Sequence, residues 1–263
     1  MEQMSSIASP PMPQTSGPAR LQTARKALAA SRRKGPIGTG AIGNMAPIRL
    51  GLPAIDDALP GGGLTRGAVH EIAGAQPLDG AALGFAAFVL ARLERSAGPV
   101  LWIRNPAGAR ARPYGHGLAR LGLAPGRLLT ARVRRAADAQ WAAEEGLRCP
   151  ALGAVVVEIE TVGFTASRRL QLAAESTGVT ALIIRPALPA ADSPVAAATR
   201  WQVHAAPSPS PFGAVRWHLD LHRCRGGRPF SWLVEWCDET GDLALAADAG
   251  DRSSVPPAAR LAG

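Results

Sequence analysis

The chain predicts an α/β domain with a mainly parallel sheet that its last strands extend in antiparallel fashion. Three observations carry this expectation. Between residues 68 and 185, short apolar runs alternate with segments of helical period, the pattern of successive strand-helix-strand crossovers. The first crossover joins a run at 68–73 to a run at 99–104 through one helix-length segment, a spacing that calls for parallel strands and a right-handed connection. From Val215 the period becomes two, with Trp217, Leu219 and Leu221 on one face and Arg216, His218, Asp220 and His222 on the other. After a Gly-Gly turn at 226–227 a second alternating run puts Phe230, Trp232, Val234 and Trp236 on one side, which is an antiparallel hairpin or meander.

Taken in order, residues 54–59 read as a short entry helix, and Gly61-Gly62-Gly63 permits a tight reversal with positive φ. The strand at 68–73 feeds a glycine-bounded turn, 74–82, which opens onto a helix at 81–95. Leu83, Phe85, Phe88, Val89, Leu90 and Leu93 give that helix a broad apolar face, and Gly98-Pro99 stops it. The strand at 99–104 follows, then a helix at 114–121 closed by Gly122, a weak strand at 128–131 and a helix at 136–147. The run 154–159 is the clearest buried strand. A helix at 167–176, with Leu170, Leu172 and Ala173 inward, leads to another buried strand at 180–185 and a strand-like stretch at 198–205.

Folding is expected of one domain, 47–237. The flanks are a flexible arm at 1–46, with Arg25, Lys26, Arg32, Arg33 and Lys34, and a flexible polar tail at 238–263. The formal charge of +9 comes almost wholly from arginine; it favours acidic partners, nucleic acid included, and says nothing about fold. The three cysteines, Cys149, Cys224 and Cys237, form neither a CxxC nor a zinc spacing and fit a reducing cytoplasm. No secretory signal and no run of about 18 apolar residues is present, so a cytoplasmic location without membrane contact is expected.

The turn Gly74-Ala75-Gln76-Pro77-Leu78-Asp79-Gly80-Ala81-Ala82 has the layout of a nucleotide-binding P-loop, in which backbone N–H groups and a helix N-terminus cradle phosphates. Its chemistry is missing. The lysine expected after the second glycine is Ala81, the Ser/Thr that holds magnesium is Ala82, and the loop is one residue too long. Asp79, just before the helix, is expected to cap the orphan N–H groups, worth about 1 kcal/mol, and to repel a triphosphate. No cofactor, metal or catalytic residue is therefore assigned. His218, Asp220 and His222 share a strand face, which an alternating polar face explains more simply than a metal site does. Arg223, Arg225 and Arg228, with Trp232 and Trp236, are of the residue types enriched in binding hot spots. The competing structural reading is a stable hairpin with arginines stacked on tryptophans.

The order of these elements resembles the RecA core over roughly residues 48–236. The likeness runs from Leu50-Gly51-Leu52 to Gly74, through Trp102-Ile103 and the strands at 154–158 and 180–185, to Arg223-Cys224-Arg225 and Pro229-Phe230. The degenerate P-loop, the run Ser167 to Glu175 and the segment from Arg223 to Trp236 look specifically like the ImuA family. The resemblance implies a RecA-like core and a non-enzymatic accessory role in damage-induced (SOS) mutagenic translesion DNA synthesis. The implied partners are ImuB, an inactive Y-family polymerase relative, together with the recombinase RecA and an error-prone replicative-type polymerase subunit. Where active recombinases carry a catalytic glutamate, this chain has Arg104-Asn105-Pro106, and the Walker-B-like position holds Glu158 in place of Asp. The basic pair Arg223 and Arg225 matches one that recombinases place at a subunit interface. Arg168 and Arg169 stand where recombinase loops approach DNA. The alternatives are an ATP-dependent recombinase paralogue, disfavoured by Ala81, Ala82 and Pro106, and an SOS-induced cell-division inhibitor.

Overall fold

The computed structural model describes residues 45–74, 80–93, 98–105, 113–188, 196–208 and 214–246. In chain order these form α1 (Pro53–Asp56), β1 (Val69–Gly74), α2 (Ala81–Ala91), β2 (Val100–Arg104), α3 (Gly115–Arg120), β3 (Leu128–Arg132), α4 (Ala136–Leu147) and β4 (Ala154–Glu158). Then follow α5 (Phe164–Thr177), β5 (Thr180–Arg185), β6 (Thr199–Ala206), β7 (Arg216–Cys224), β8 (Phe230–Cys237) and β9 (Asp242–Leu245).

β1, β4 and β5 carry apolar side chains on both of their faces, so they take the middle of the sheet, with every residue buried. The described strands form one sheet ordered β3-β2-β4-β5-β1-β6-β7-β8-β9. From β3 to β6 all neighbours are parallel; β6-β7, β7-β8 and β8-β9 are antiparallel. This is the α/β architecture that the sequence predicts, a mainly parallel sheet extended by C-terminal antiparallel strands.

Side chains of alternate parity feed two cores. On one face, Ile72, Trp102, Val156, Leu182, Trp201, Val203, Trp217 and Leu219 pack with Phe85, Phe88 and Leu90 of α2. That helix is apolar almost all round, the mark of a buried helix, and it lies against β1, β5 and β6. Gly84 allows the approach: a Cβ there would stand 2.8 Å from Cζ2 of Trp217. On the other face, Val69, Ile103, Val155, Val157, Ala181 and Ile183 pack under α4 and α5. α5 ends where Gly178 takes φ +79 and donates its N–H to Ala174.

The entry segment is tied down by Asp56, which is buried and accepts N–H bonds from Leu50 (2.7 Å) and Gly51 (3.0 Å). Two expectations change. Leu172 faces solvent, 54 % exposed, because α5 buries the face of Ser167, Leu170, Gln171, Ala173 and Ala174. The sheet does not stop at Cys237: within the stretch expected to be a polar tail, β9 pairs Leu243 with Trp236 and buries it. With four residues, of which Leu243 alone is buried, this strand is too brief for alternation to register in the sequence.

Candidate functional site

The carboxyl ends of the parallel strands, where open α/β sheets hold ligands, include that of β1, where the P-loop-like turn begins. Gly74 ends β1, buried and in register with Val203 of β6. Asp79, with the rest of 75–79, lies outside the described residues. The N-cap of α2 is Gly80, at φ +68, a left-handed conformation that glycine adopts without strain. Ala81 and Ala82 are 2 % and 6 % exposed and belong to the core under α2. The positions at which a P-loop presents its lysine and its magnesium hydroxyl are thus packing positions here.

The Walker-B-like Glu158 is equally committed. Its Oε1 accepts the Trp102 indole N–H at 2.6 Å and the Arg104 Nε–H at 3.1 Å, both from β2 alongside. Burial pushes its carboxyl above the usual carboxylate range, against the pull of the Trp102 and Arg104 bonds. Asn105, also buried, donates from Nδ2 to the Arg134 carbonyl at 3.3 Å, and Pro106 lies outside the described residues. Arginine and tryptophan therefore surround the one carboxylate that ATPase chemistry needs.

β1 carries two further buried polar side chains that the sequence hides inside an apolar run. Glu71 lies between arginines of the two flanking strands, accepting Arg200 Nε–H at 3.0 Å and facing Arg185 Nη1 at 3.5 Å. Lone arginines at the start of β6 and the end of β5 give no sign in sequence of meeting on one glutamate. His70 is held at both ring nitrogens: Nε2 lies 2.9 Å from the Thr65 carbonyl and so donates, which leaves Nδ1 to accept from the Thr199 hydroxyl at 2.7 Å. The same hydroxyl oxygen accepts the Trp201 indole N–H at 2.8 Å. Burial lowers the His70 pKa to about 4, with the Thr65 bond opposing, so the ring is neutral at pH 7.

The hairpin of β7 and β8 separates the predicted interaction residues into two groups. Arg223 and Arg228 are exposed, with no hydrogen-bond or ion-pair partner among the described residues. Arg225 is exposed but tethered: Nη2 donates to the Ala196 carbonyl at 2.7 Å, and Nη1 lies 3.5 Å from Glu175. Trp232 is half-buried and stands between Phe230 (5.5 Å, 26°) and Trp201 (6.0 Å, 33°). Trp236 is a core residue, 3 % exposed, edge-on to Phe88 at 6.1 Å and donating to Asp238 Oδ1 at 2.7 Å. Its ring thus belongs to the core under α2, and β9 pairs along the outer edge of its strand. The cation–π contact found among the described residues is Arg92 over Phe88, so the hairpin arginines do not stack on tryptophans.

Of the other candidates, Arg168 is exposed on the first turns of α5, whereas Arg169 pairs with Glu144 of α4. His218 stacks on His204 (4.9 Å), Asp220 lies 3.8 Å from His204 Nδ1, and His222 meets Gln202 at 3.0 Å. These are cross-strand pairs of β6 and β7, and no three metal-donating side chains converge among the described residues. Among those residues no helix is long and apolar enough to cross a membrane.

No known family's sequence model matches the chain. It is similar to a solved structure of SulA from Pseudomonas aeruginosa, at 26 % identity and a TM-score of 0.37, over 44 % of this chain and 97 % of that one. It is also similar to Protein ImuA of two strains of Caulobacter vibrioides, each 36 % identical over 205 residues that cover 72 % of this chain and 82 % of theirs. At that identity over most of both lengths, the chain belongs to the ImuA family.

Proposed function

We propose that this protein is a non-catalytic accessory of damage-induced mutagenic translesion synthesis, working by contact with an ImuB-like partner in the cytoplasm. The observation that carries the reading is the burial of Ala81 and Ala82 at the head of α2, together with the engagement of Glu158 by Trp102 and Arg104. Phosphoryl transfer needs a lysine, a metal-bound hydroxyl and a free carboxylate, and these positions supply none of them. What the chain keeps is the framework and an arginine-rich hairpin edge, Arg223, Arg225, Arg228 and Trp232. We assign that edge to macromolecular contact, and the basic segment 1–46 to an arm flanking the folded domain. The recombinase and the error-prone polymerase subunit are further candidate partners, and Arg168 is a second candidate contact.

Two measurements on the purified full chain test this. Titration with ATP and magnesium is expected to show no saturable binding and no hydrolysis. Capture of the ImuB-family protein encoded in the same genome is expected to succeed and to weaken at least tenfold when Arg223 and Arg228 are both changed to Ala. Tight ATP binding, or failure to capture that protein, overturns the reading.

A further inference from the structure

We propose that the outer end of the hairpin is a stacking platform for single-stranded DNA, with Phe230 as the base-stacking ring and Arg223, Arg228 and Arg49 as phosphate contacts. The inference rests on the reading of this hairpin as the contact edge and names its occupant.

Four aromatic rings run from the core to the surface. Phe85 of α2 meets Trp201 at 5.4 Å, Trp201 meets Trp232 at 6.0 Å, and Trp232 meets Phe230 at 5.5 Å and 26°. The first two are fully buried, Trp232 is half-buried and Phe230 is 45 % exposed. Trp201 is further fixed by its bond to Thr199. A phenylalanine alone on an edge costs side-chain order when something stacks on it. One already stacked on an anchored tryptophan presents its outer face with that cost met.

The charge around the ring is of one sign. Arg228 is two residues before Phe230, and Arg223 lies two residues beyond Leu221, the cross-strand partner of Phe230. The turn packs on the entry segment, Gly226 and Gly227 each lying against Pro60, and the Arg49 guanidinium lies over neighbouring Gly62. Arg49, Arg223 and Arg228 are all exposed and have no described acidic partner, whereas Arg225 spends its charge on Glu175. Exposed aromatic faces beside unpaired arginines are the recognition chemistry of single-stranded nucleic acid: stacking accepts any base, and the cations track the backbone. A duplex hides its base faces and offers Phe230 nothing to stack on.

The test is fluorescence anisotropy of the full chain with a labelled oligothymidylate of about 15 nucleotides, with Trp emission read in parallel. Saturable binding with quenched Trp emission is expected, at least tenfold tighter than for a duplex of equal length. Phe230→Ala should weaken binding about tenfold or more, and Phe230→Trp should restore it. Arg223→Ala and Arg228→Ala should each lower the salt slope by about 0.7, the value for one phosphate contact on a single strand. Far-UV circular dichroism establishes that each variant is folded. Equal binding to duplex, or binding indifferent to Phe230→Ala, overturns the platform and leaves only the general attraction of a basic chain for polyanions. If DNA does not bind but Arg223→Ala with Arg228→Ala still abolishes capture of the ImuB-family protein, the edge is a protein contact and only the DNA assignment fails. Loss of neither defeats both readings.

Discussion

Glu71 shows how one residue settles a position that composition leaves open. It is fully buried on a central strand and tolerable there only because Arg185 and Arg200 face it from either side. Removing one partner of a buried ionic group leaves the others without compensation, which costs more than the group itself contributes. Glu71→Ala is therefore expected to destabilise the fold by about 3–5 kcal/mol, read as a lowered urea midpoint. His70, one residue earlier, gives a pH signature. Its folded pKa, about 4, lies below the unfolded value of 6.5, so the unfolded chain takes up the proton first. Its contribution is intact above pH 6.5, falls as pH drops toward 4 and levels off below that, a loss of roughly 3 kcal/mol in total. Urea titrations between pH 7 and pH 4.5 should show this slope, and His70→Gln should flatten it. A slope equal in both proteins would mean that His70 is not the group responsible.

At the scale of elements, α2 and the hairpin behave as one packing unit. The helix presents Phe85 and Phe88 to Trp201 and Trp236, and Gly84 lets Trp217 close over its axis. Gly84→Ala improves helix propensity by up to about 1 kcal/mol, yet places a methyl 2.8 Å from the indole. Overpacking outweighs propensity at that distance, so a net loss of about 1–3 kcal/mol is expected in thermal or urea unfolding, with a red shift in Trp emission as Trp217 is displaced. Had the P-loop lysine been kept at position 81, the same helix would have had to hold a charge at a site that is 2 % exposed. The apolar head of α2 is thus part of what fixes the C-terminal strands.

For the whole molecule, the sheet is longer than its predicted boundary. β9 adds the ninth strand, buries Leu243 and brings Asp242 to Arg92 at the end of α2. The segment after Cys237 therefore holds the far edge of the domain to the first core helix. Leu243→Ala should cost about 2–5 kcal/mol, a core-sized loss for a residue in an expected tail, measurable as a drop in the urea midpoint. A change below about 0.5 kcal/mol, the range of ordinary surface substitutions, would show that β9 carries no load.

The sequence by itself determined the class of fold, the succession of strands and helices, the two periods, and the loss of the P-loop lysine and hydroxyl at Ala81 and Ala82. Those are local properties: an apolar run of five residues must be buried on both sides, and an alanine side chain has no group to pair with a phosphate or hold magnesium wherever it lies. Tertiary structure alone decided which faces meet. It put Glu71 between two arginines more than a hundred residues away, occupied Glu158 with Trp102, withdrew Trp236 into the core and left Phe230 stacked at the surface. Period-two alternation assigns Phe230, Trp232, Val234 and Trp236 to one face, but burial along that face depends on what packs beyond it. α2 and β9 cover the Trp236 end, the hairpin end stays open, and the ring there keeps one face for a partner.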